Sequence, residues 1–232
     1  MDYRGSQIFV SCSESGLRGE LVEFLRGIEY ETYGIDGPVG IDASERRGTL
    51  VFLERTDGND HEWKSMAGSF EKNGSECFLI ALGEDSIPDG FQGAIGGPAA
   101  RYREGIIGYL GGYRARGHRR YVRFGNLNAS IAMFEFHRDG TRFAGIIHDI
   151  SAAGCSCTFK PEPEVLGHVE VKDMGLSLPG HSTTLSGRFV SRRLFAGQVI
   201  HVFLFSEGLP AETVENIHDF IYASLETKLS YR

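Results

Sequence analysis

The stretch FAGIIHDISAAGCSCTF, residues 143–159, consists of two short apolar runs on either side of a small polar turn. Runs of this length, bounded by turn residues, are typical of β-strands. The dipeptide Asp139-Gly140 stands just before the stretch, between two apolar runs. It favours a two-residue hairpin turn, because Asp and Gly tolerate the positive φ angles that such a turn requires. The stretch therefore predicts consecutive antiparallel strands.

The same pattern of short strands and turns continues over the second half of the chain. A second turn signal, Pro179-Gly180, separates two of the strands. The predicted strands cover residues 130–137, 143–150, 154–159, 167–172, 183–190 and 198–205. Five to seven such strands predict a small antiparallel β-barrel that is closed or nearly closed.

A helix is predicted at the end of the chain, over residues 210–229. Pro210 stands at its start, where the missing N–H of proline is tolerated. One apolar stripe runs along the helix, formed by Val214, Ile217, Ile221 and Leu225. We expect this stripe to pack on the barrel rather than on a partner protein.

The first half of the chain alternates apolar runs with helical stretches. The predicted strands cover residues 7–12, 30–35, 49–54 and 77–82, and the predicted helices cover 17–28, 62–72 and 98–111. This alternation predicts a parallel sheet with crossover connections. The fold class is therefore two domains, with an α/β domain over residues 1–112 and a small antiparallel β-barrel with a C-terminal helix over 113–232.

The bulk composition is that of a folded protein with a core of its own. The chain has 232 residues, of which 41% are hydrophobic and 24% charged. The net charge of -7 is uneven, because residues 1–113 carry 10 basic and 19 acidic residues. The start of the chain lacks the features of a signal peptide, and no apolar run approaches the ~18 residues of a membrane span. We expect a soluble, cytoplasmic protein without membrane insertion.

The four cysteines fit a reducing compartment. Cys12 and Cys77 lie in apolar runs, which predicts that they are core residues. Cys155 and Cys157 form a Cys-x-Cys pair whose side chains share one face of a strand. The pair could help to hold a metal ion, but the favoured interpretation is two small apolar side chains on one face of the barrel. No metal is expected.

An arginine-rich segment lies at the boundary between the two halves. Its members are Arg114, Arg116, Arg119, Arg120 and Arg123. No acidic residue occurs between Glu104 and Glu135. A run of this kind is most often a solvated patch. Its position favours a binding role, because it precedes a second polar motif.

The second motif is Asp-x-Ser-x-x-Gly, formed by Asp149, Ser151 and Gly154. Guanidinium groups fit phosphate oxygens and the O6/N7 edge of guanine, whereas a carboxylate accepts hydrogen bonds from the opposite edge of guanine. Ser151 lies two residues from Asp149, so that both side chains share a face of an extended strand. Gly154 lets a ligand approach the backbone closely. Together the two motifs predict a site for a guanine nucleotide.

HRRYVRF, residues 118–124, and HDISAAG, residues 148–154, resemble the two motifs of the PilZ domain family, bacterial receptors for cyclic di-GMP. The resemblance covers residues 116–229 and implies a six-stranded barrel. It implies that cyclic di-GMP contacts Arg119, Arg120, Arg123, Asp149, Ser151 and Gly154, with Arg116 and His118 as possible further contacts. His118 stands where some members carry another Arg, which leaves the ligand stoichiometry open.

The resemblance implies a non-catalytic receptor that needs no cofactor. Binding would order the arginine-rich segment, change the arrangement of the domains and so control motility, biofilm formation or a related output. The alternative is a degenerate PilZ-type interaction module that does not bind nucleotide. The sequence shows none of the hydrolase or P-loop motifs that catalysis would use. The acidic net charge argues against nucleic acid as the ligand.

The first half weakly resembles a degenerate response-regulator receiver domain. The family's acidic pair after the first strand is replaced by Cys12-Ser13-Glu14. Glu54 ends the third predicted strand, and Asp57 lies beyond it. We therefore expect an interaction domain for a protein partner rather than a phosphorylation site.

Overall fold

The structure is a computed structural model that describes residues 5–38, 41, 48–55, 59–116, 120–125, 132–163, 170–195 and 197–230. The chain forms two compact units, one of residues 1–120 with 229–232 and one of residues 121–228. Residues 113–116 lie in the first unit, because Ala115 is buried in its core and accepts a hydrogen bond from the Ser6 N–H at 2.7 Å.

The first unit contains the predicted parallel sheet. Its strands are β1 (Gln7–Ser11), β2 (Thr32–Gly34), β3 (Thr49–Glu54), β4 (Cys77–Leu82) and β5 (Gly93–Ile95). They pair in the order β2-β1-β3-β4-β5, and every pair is parallel. β1 and β3 are buried along almost their whole length, which explains why they are continuous apolar runs rather than alternating ones. β5 was not predicted, because three residues give too short a pattern.

Helices cover this sheet. They are α1 (Ser15–Gly27), α2 (Asp60–Lys72) and α3 (Tyr102–Gly112), the last preceded by a 3-10 turn at Ala99–Arg101. α1 buries Leu21 and Leu25 in the core of the unit, and α3 buries Ile106 and Leu110. The single tryptophan, Trp63, is buried on α2. Each helix therefore buries apolar side chains in the unit.

The carboxyl ends of β1 and β3 are joined by side chains. The backbone N–H and the hydroxyl of Ser13 both donate to Glu54 Oε2, at 2.8 and 2.5 Å. Arg55 forms ion pairs with Asp60 at 2.7 Å and with Glu84 at 3.4 Å. In sheets of this strand order, ligands bind in the crevice at these strand ends. Here Glu54 and Arg55, at the end of β3, bond to the polar side chains of neighbouring segments.

The second unit is the predicted antiparallel barrel. Its strands are β6 (Phe124–Gly125), β7 (Met133–Arg138), β8 (Thr141–Ser151), β9 (Gly154–Lys160), β10 (Glu170–Leu178), β11 (His181–Phe195) and β12 (Gln198–Phe205). Six of them close a ring in the order β8-β7-β10-β11-β12-β9, and the pairing of β8 with β9 completes it. β6 pairs with the end of β8. Closure removes the exposed edges that an open sheet would leave.

One turn and one bulge of the barrel show where the sequence patterns succeed and where they fail. Asp139 and Gly140 have φ angles of 50° and 77°, as the predicted hairpin turn requires. β10 was predicted over residues 167–172 but extends to Leu178. Its pairing with β11 shifts register between Val171 and Met174, and Asp173 has a φ of 52°. The resulting bulge interrupts the alternation on which the prediction relied.

Aromatic rings fill the interior of the barrel. Edge-to-face or tilted contacts link Phe134, Phe136, Phe159, Phe189 and Phe203, with ring centroids 4.9–5.8 Å apart. Each such pair adds about 0.5–1.5 kcal/mol beyond the area that it buries. These rings give the barrel a packed aromatic core.

The C-terminal helix α4 (Ala211–Ser230) packs on the barrel, as predicted. Ile217, Ile221 and Leu225 of its stripe are buried. Phe220 contacts Phe124 of β6 edge to face, with centroids 5.8 Å apart. No helix in the described part of the chain has the length and apolar character to span a membrane.

One buried histidine lies among the barrel aromatics. His201 is 1% exposed, packs against Phe159 and Phe189, and has no hydrogen-bond partner for either ring nitrogen among the described residues. Burial lowers the pKa of His201 from its usual 6.5; Glu162, whose Oε1 lies 3.9 Å from Nε2, opposes the shift, and Arg192 adds to it.

We predict that acid destabilises the barrel through His201. The unfolded chain protonates His201 more readily than the folded chain does. The contribution of neutral His201 to the free energy of unfolding is therefore fully present above pH ~6.5 and is lost as the pH drops below that value. Chemical unfolding between pH 7.5 and 5 should show this slope, and His201→Phe should flatten it. The matched control is His181→Asn, because His181 is exposed on β11. An acid slope that survives His201→Phe unchanged would contradict the prediction.

Candidate functional site

The Asp-x-Ser-x-x-Gly motif forms the hairpin between β8 and β9. Asp149 and Ser151 lie at the end of β8, and Gly154 begins β9. The two strands pair through Asp149 with Ser156 and through Ser151 with Gly154. The motif therefore sits on the pair of strands that closes the barrel.

A bulge in β8 turns Asp149 away from the barrel interior. The register with β9 shifts between Ile147 and Asp149, so His148 has no residue opposite it. Ile147 and Ile150 are both buried completely. Regular alternation would place Asp149 on the same face as Ile147, whereas the bulge leaves 29% of the Asp149 side chain exposed. The carboxylate thus becomes available on the outer face of the barrel.

Arg123 lies beside this carboxylate. β6 pairs Phe124 with Ile150 and Gly125 with Asp149, which brings the preceding residue, Arg123, to the end of β8. Arg123 Nη1 is 3.6 Å from Asp149 Oδ1, and half of the Arg123 side chain is exposed. The structure therefore brings together one arginine of the first motif and the carboxylate of the second.

Ser151 and Gly154 make internal contacts. Ser151 is 2% exposed; its hydroxyl donates to the Gly154 carbonyl at 3.2 Å and accepts from the Ala153 N–H at 3.4 Å. A Cβ on Gly154 would lie 2.2 Å from the carbonyl oxygen of Phe203 on β12. In this structure, the serine holds the turn and the glycine lets β9 and β12 approach closely, so that both residues shape the hairpin that carries Asp149.

The other arginines of the segment between the two halves lie in the first unit or outside the described residues. Arg119 and His118 fall in residues 117–119, which the structure does not describe. Arg116 belongs to the first unit, where Nη2 donates to the Ile28 carbonyl at 2.5 Å and the guanidinium lies 4.7 Å from the ring centroid of Tyr30. Arg120 is the last residue of that unit's main segment. The roles of these residues in binding stay predictions.

Two neighbours of Asp149 were not predicted from the sequence. The hydroxyl of Ser156 donates to Asp149 Oδ2 at 2.5 Å, and Gly125 is the cross-strand partner of Asp149 on β6. Ser156 stands between two cysteines that are both buried. Alternation along β9 could have placed Ser156 on the outer face with Asp149. Gly125 had no such signal, because β6 is only two residues long.

The two cysteines next to the motif lie in the interior of the barrel. Cys155 and Cys157 are buried as free thiols, which fits their interpretation as apolar core residues. Burial raises the pKa of the Cys155 thiol, with a hydrogen bond and charge from Cys157 acting in the same direction. His148 Nε2 lies 3.1 Å from Thr158 Oγ1. Within the described residues, no group of three or more His, Cys, Asp or Glu could hold a metal ion.

No protein-family model matches the chain, and neither does any curated protein. YcgR from Escherichia coli in complex with c-di-GMP is similar over 50% of this chain and 49% of that one, at 13% identity and a TM-score of 0.42. The PilZ domain of YcgR from Escherichia coli with c-di-GMP is similar over 48% and 93%, at 18% identity and a TM-score of 0.40. The Bacillus subtilis inhibitor of motility, MotI/DgrA, is similar over 50% and 53%, at 13% identity and a TM-score of 0.40.

This chain spans about half the length of the YcgR chain in the first of these structures. The similar structures include PilZ domain proteins, the family that the two motifs resemble. The receiver-like interpretation of the first half stays a prediction.

We predict that Gly154→Ala destabilises the barrel. The added methyl would collide with the backbone of β12, which cannot move aside as a flexible side chain can. Such overpacking costs about 1–3 kcal/mol, and thermal unfolding of the full chain should show a lower midpoint. Gly125→Ala is the matched control, because within the part of the chain that the structure describes no heavy atom lies within 4 Å of the Cβ position there. Equal midpoints for the two variants would refute the close approach at Gly154.

Proposed function

We propose that the second unit is a non-catalytic receptor for cyclic di-GMP. The observation that carries the proposal is the placement of Arg123 and Asp149 side by side on the outer face of the barrel, 3.6 Å apart. One belongs to the Arg-x-x-x-Arg motif and the other to the Asp-x-Ser-x-x-Gly motif, in the order and spacing that resemble a PilZ domain.

The chemistry of the pair suits one guanine nucleotide. Arg123 offers a fork of N–H donors for a phosphate or for the O6/N7 edge of guanine, and Asp149 offers acceptors for the N1–H and N2–H donors. The pair is partly exposed, so its own attraction contributes only about 0–1 kcal/mol. A ligand that supplies both an anionic and a hydrogen-donating edge can replace that contact at little cost.

Arg119 and Arg120 would add phosphate contacts from the segment that precedes β6, with Arg116 and His118 as possible further contacts. This segment is also the covalent connection between the two units. Ordering it around a dianion would change how the units are arranged, which we propose as the output step. Small-angle scattering of the full chain tests this step, because a profile that stays the same on saturation would exclude it.

The downstream output is proposed by resemblance. E. coli YcgR was solved with c-di-GMP, and the similar B. subtilis protein is named an inhibitor of motility. We propose control of motility, biofilm formation or a related process, through a protein partner of the acidic first unit. A cytoplasmic location and the absence of nucleic acid from the site stay predictions from the sequence.

The alternative function is a PilZ-type interaction module that does not bind nucleotide. The observation that favours it is the contact of Asp149 with both Arg123 and Ser156 within the protein. Such contacts would let the motif act as a structural link between β6, β8 and β9. The two functions differ in one measurable property, the affinity for cyclic di-GMP.

We predict that titration calorimetry of the full chain will detect binding of cyclic di-GMP, but not of GTP or a short DNA duplex. Charge-assisted hydrogen bonds contribute about 1.5–3 kcal/mol each, so Arg119→Ala or Arg123→Ala should weaken binding by at least about tenfold. Asp149→Ala should reduce the preference for cyclic di-GMP over cyclic di-AMP. Arg188→Ala is the control, because Arg188 is exposed on β11. Absence of heat with the wild-type chain would favour the interaction module, and turnover of the ligand would indicate a hydrolase.

A further inference from the structure

Asp149 stands in the middle of a row of three residues that face one another across three strands. Gly125 of β6 lies on one side of it and Ser156 of β9 on the other. We infer that these two neighbours set the guanine selectivity of the site, Ser156 as a positioning residue for the carboxylate and Gly125 as the gap that admits the base. The inference rests on the proposed binding of cyclic di-GMP.

Ser156 bonds to the carboxylate itself. Its hydroxyl donates to Asp149 Oδ2 at 2.5 Å, and Ser156 is 4% exposed, so little water competes for the bond. Buried serines commonly bond to backbone groups, as Ser151 does in the adjacent turn. Ser156 instead directs its proton at an ionised side chain that is partly open to solvent. This is the arrangement expected of a group that orients another group.

The bond leaves the carboxylate able to accept from a ligand. An ionised carboxylate offers about four lone-pair sites on its two oxygens. Ser156 occupies one site on Oδ2, and Arg123 Nη1 lies 3.6 Å from Oδ1. The bond from Ser156 limits rotation of the carboxylate plane even when a ligand takes the place of the contact with Arg123. Two donors on one edge of guanine need such a fixed plane, whereas a phosphate does not.

Gly125 keeps the opposite side of Asp149 free. No heavy atom of the described residues lies within 4 Å of the position that a Cβ would take there, and the φ of Gly125 lies outside the left-handed region. The backbone therefore does not require glycine. Cross-strand neighbours place their Cβ atoms about 4.5–5.5 Å apart, so a branched side chain at this position would stand next to the carboxylate. The absence of a side chain leaves room for a flat base.

Calorimetric titration of Ser156→Ala with cyclic di-GMP and with cyclic di-AMP tests the positioning role. Loss of one hydrogen bond to a charged group corresponds to about tenfold in affinity. We expect about tenfold weaker binding of cyclic di-GMP and unchanged, weak binding of cyclic di-AMP, so that the ratio of the two affinities falls. Ser156→Thr, which keeps the hydroxyl, should restore most of the ratio. Ser182→Ala, at an exposed serine of β11, is the matched control.

Gly125→Val tests the gap without disturbing the fold. We expect its thermal midpoint to equal that of the wild-type chain and its affinity for cyclic di-GMP to fall by at least about thirtyfold, while Gly125→Ala loses less. Wild-type affinity and selectivity in both Ser156→Ala and Gly125→Val would overturn the inference. That result would leave the proposed function intact, which fails only if the wild-type chain does not bind cyclic di-GMP.

Discussion

The pairing of β8 with β9 is the constraint on which the second unit depends. It turns a sheet with two free edges into a closed ring, and it fixes the hairpin in which the polar motif lies. Two residues of that motif, Ser151 and Gly154, serve the pairing itself, one by bonding within the turn and the other by letting β12 approach. Part of a motif that resembles a ligand-binding motif thus serves to close the barrel.

The bulge at His148 lets β8 bury apolar side chains in the core and also expose Asp149. Because one residue has no counterpart on β9, the strand buries Ile147 and Ile150 while the residue before Ile150 turns outward. In a regular strand, Asp149 would lie on the same face as Ile147, so that burial of Ile147 would also turn Asp149 inward. Bulges recur beside binding sites for this reason. The exposure of Asp149 therefore results from an irregularity in the strand rather than from a separate loop.

Sequence patterns predicted most of the architecture because burial imposes periodicity. The parallel sheet, the closed barrel and the packing of α4 followed from apolar runs, turn dipeptides and one apolar stripe. The patterns failed where backbone geometry departs from regular alternation, as at the bulge around Asp173 in β10, and where an element is too short to show a period, as in β5 and β6.

For the candidate site, the motifs predicted which residues take part but not which contacts each of them makes. Arg123 and Asp149 lie together because β6 pairs with the end of β8, a long-range contact that no local pattern encodes. The same hairpin decides that Ser151 bonds within the turn and that Ser156 bonds to the Asp149 carboxylate. Arg119 and His118 lie in residues that the structure does not describe.

The distribution of the four cysteines gives the protein a set of internal reporters. Cys12 and Cys77 are buried in the first unit, and Cys155 and Cys157 in the second. Burial raises the pKa of Cys12 to about 11 and that of Cys77 to about 12, so these thiols are protonated and unreactive in the folded chain. A thiol-specific reagent can modify each pair only when its own unit opens. In the unaltered chain, the labelling rates of Cys12 and Cys77 would therefore measure the opening of the α/β unit. Those of Cys155 and Cys157 would measure the opening of the barrel, without any engineered probe.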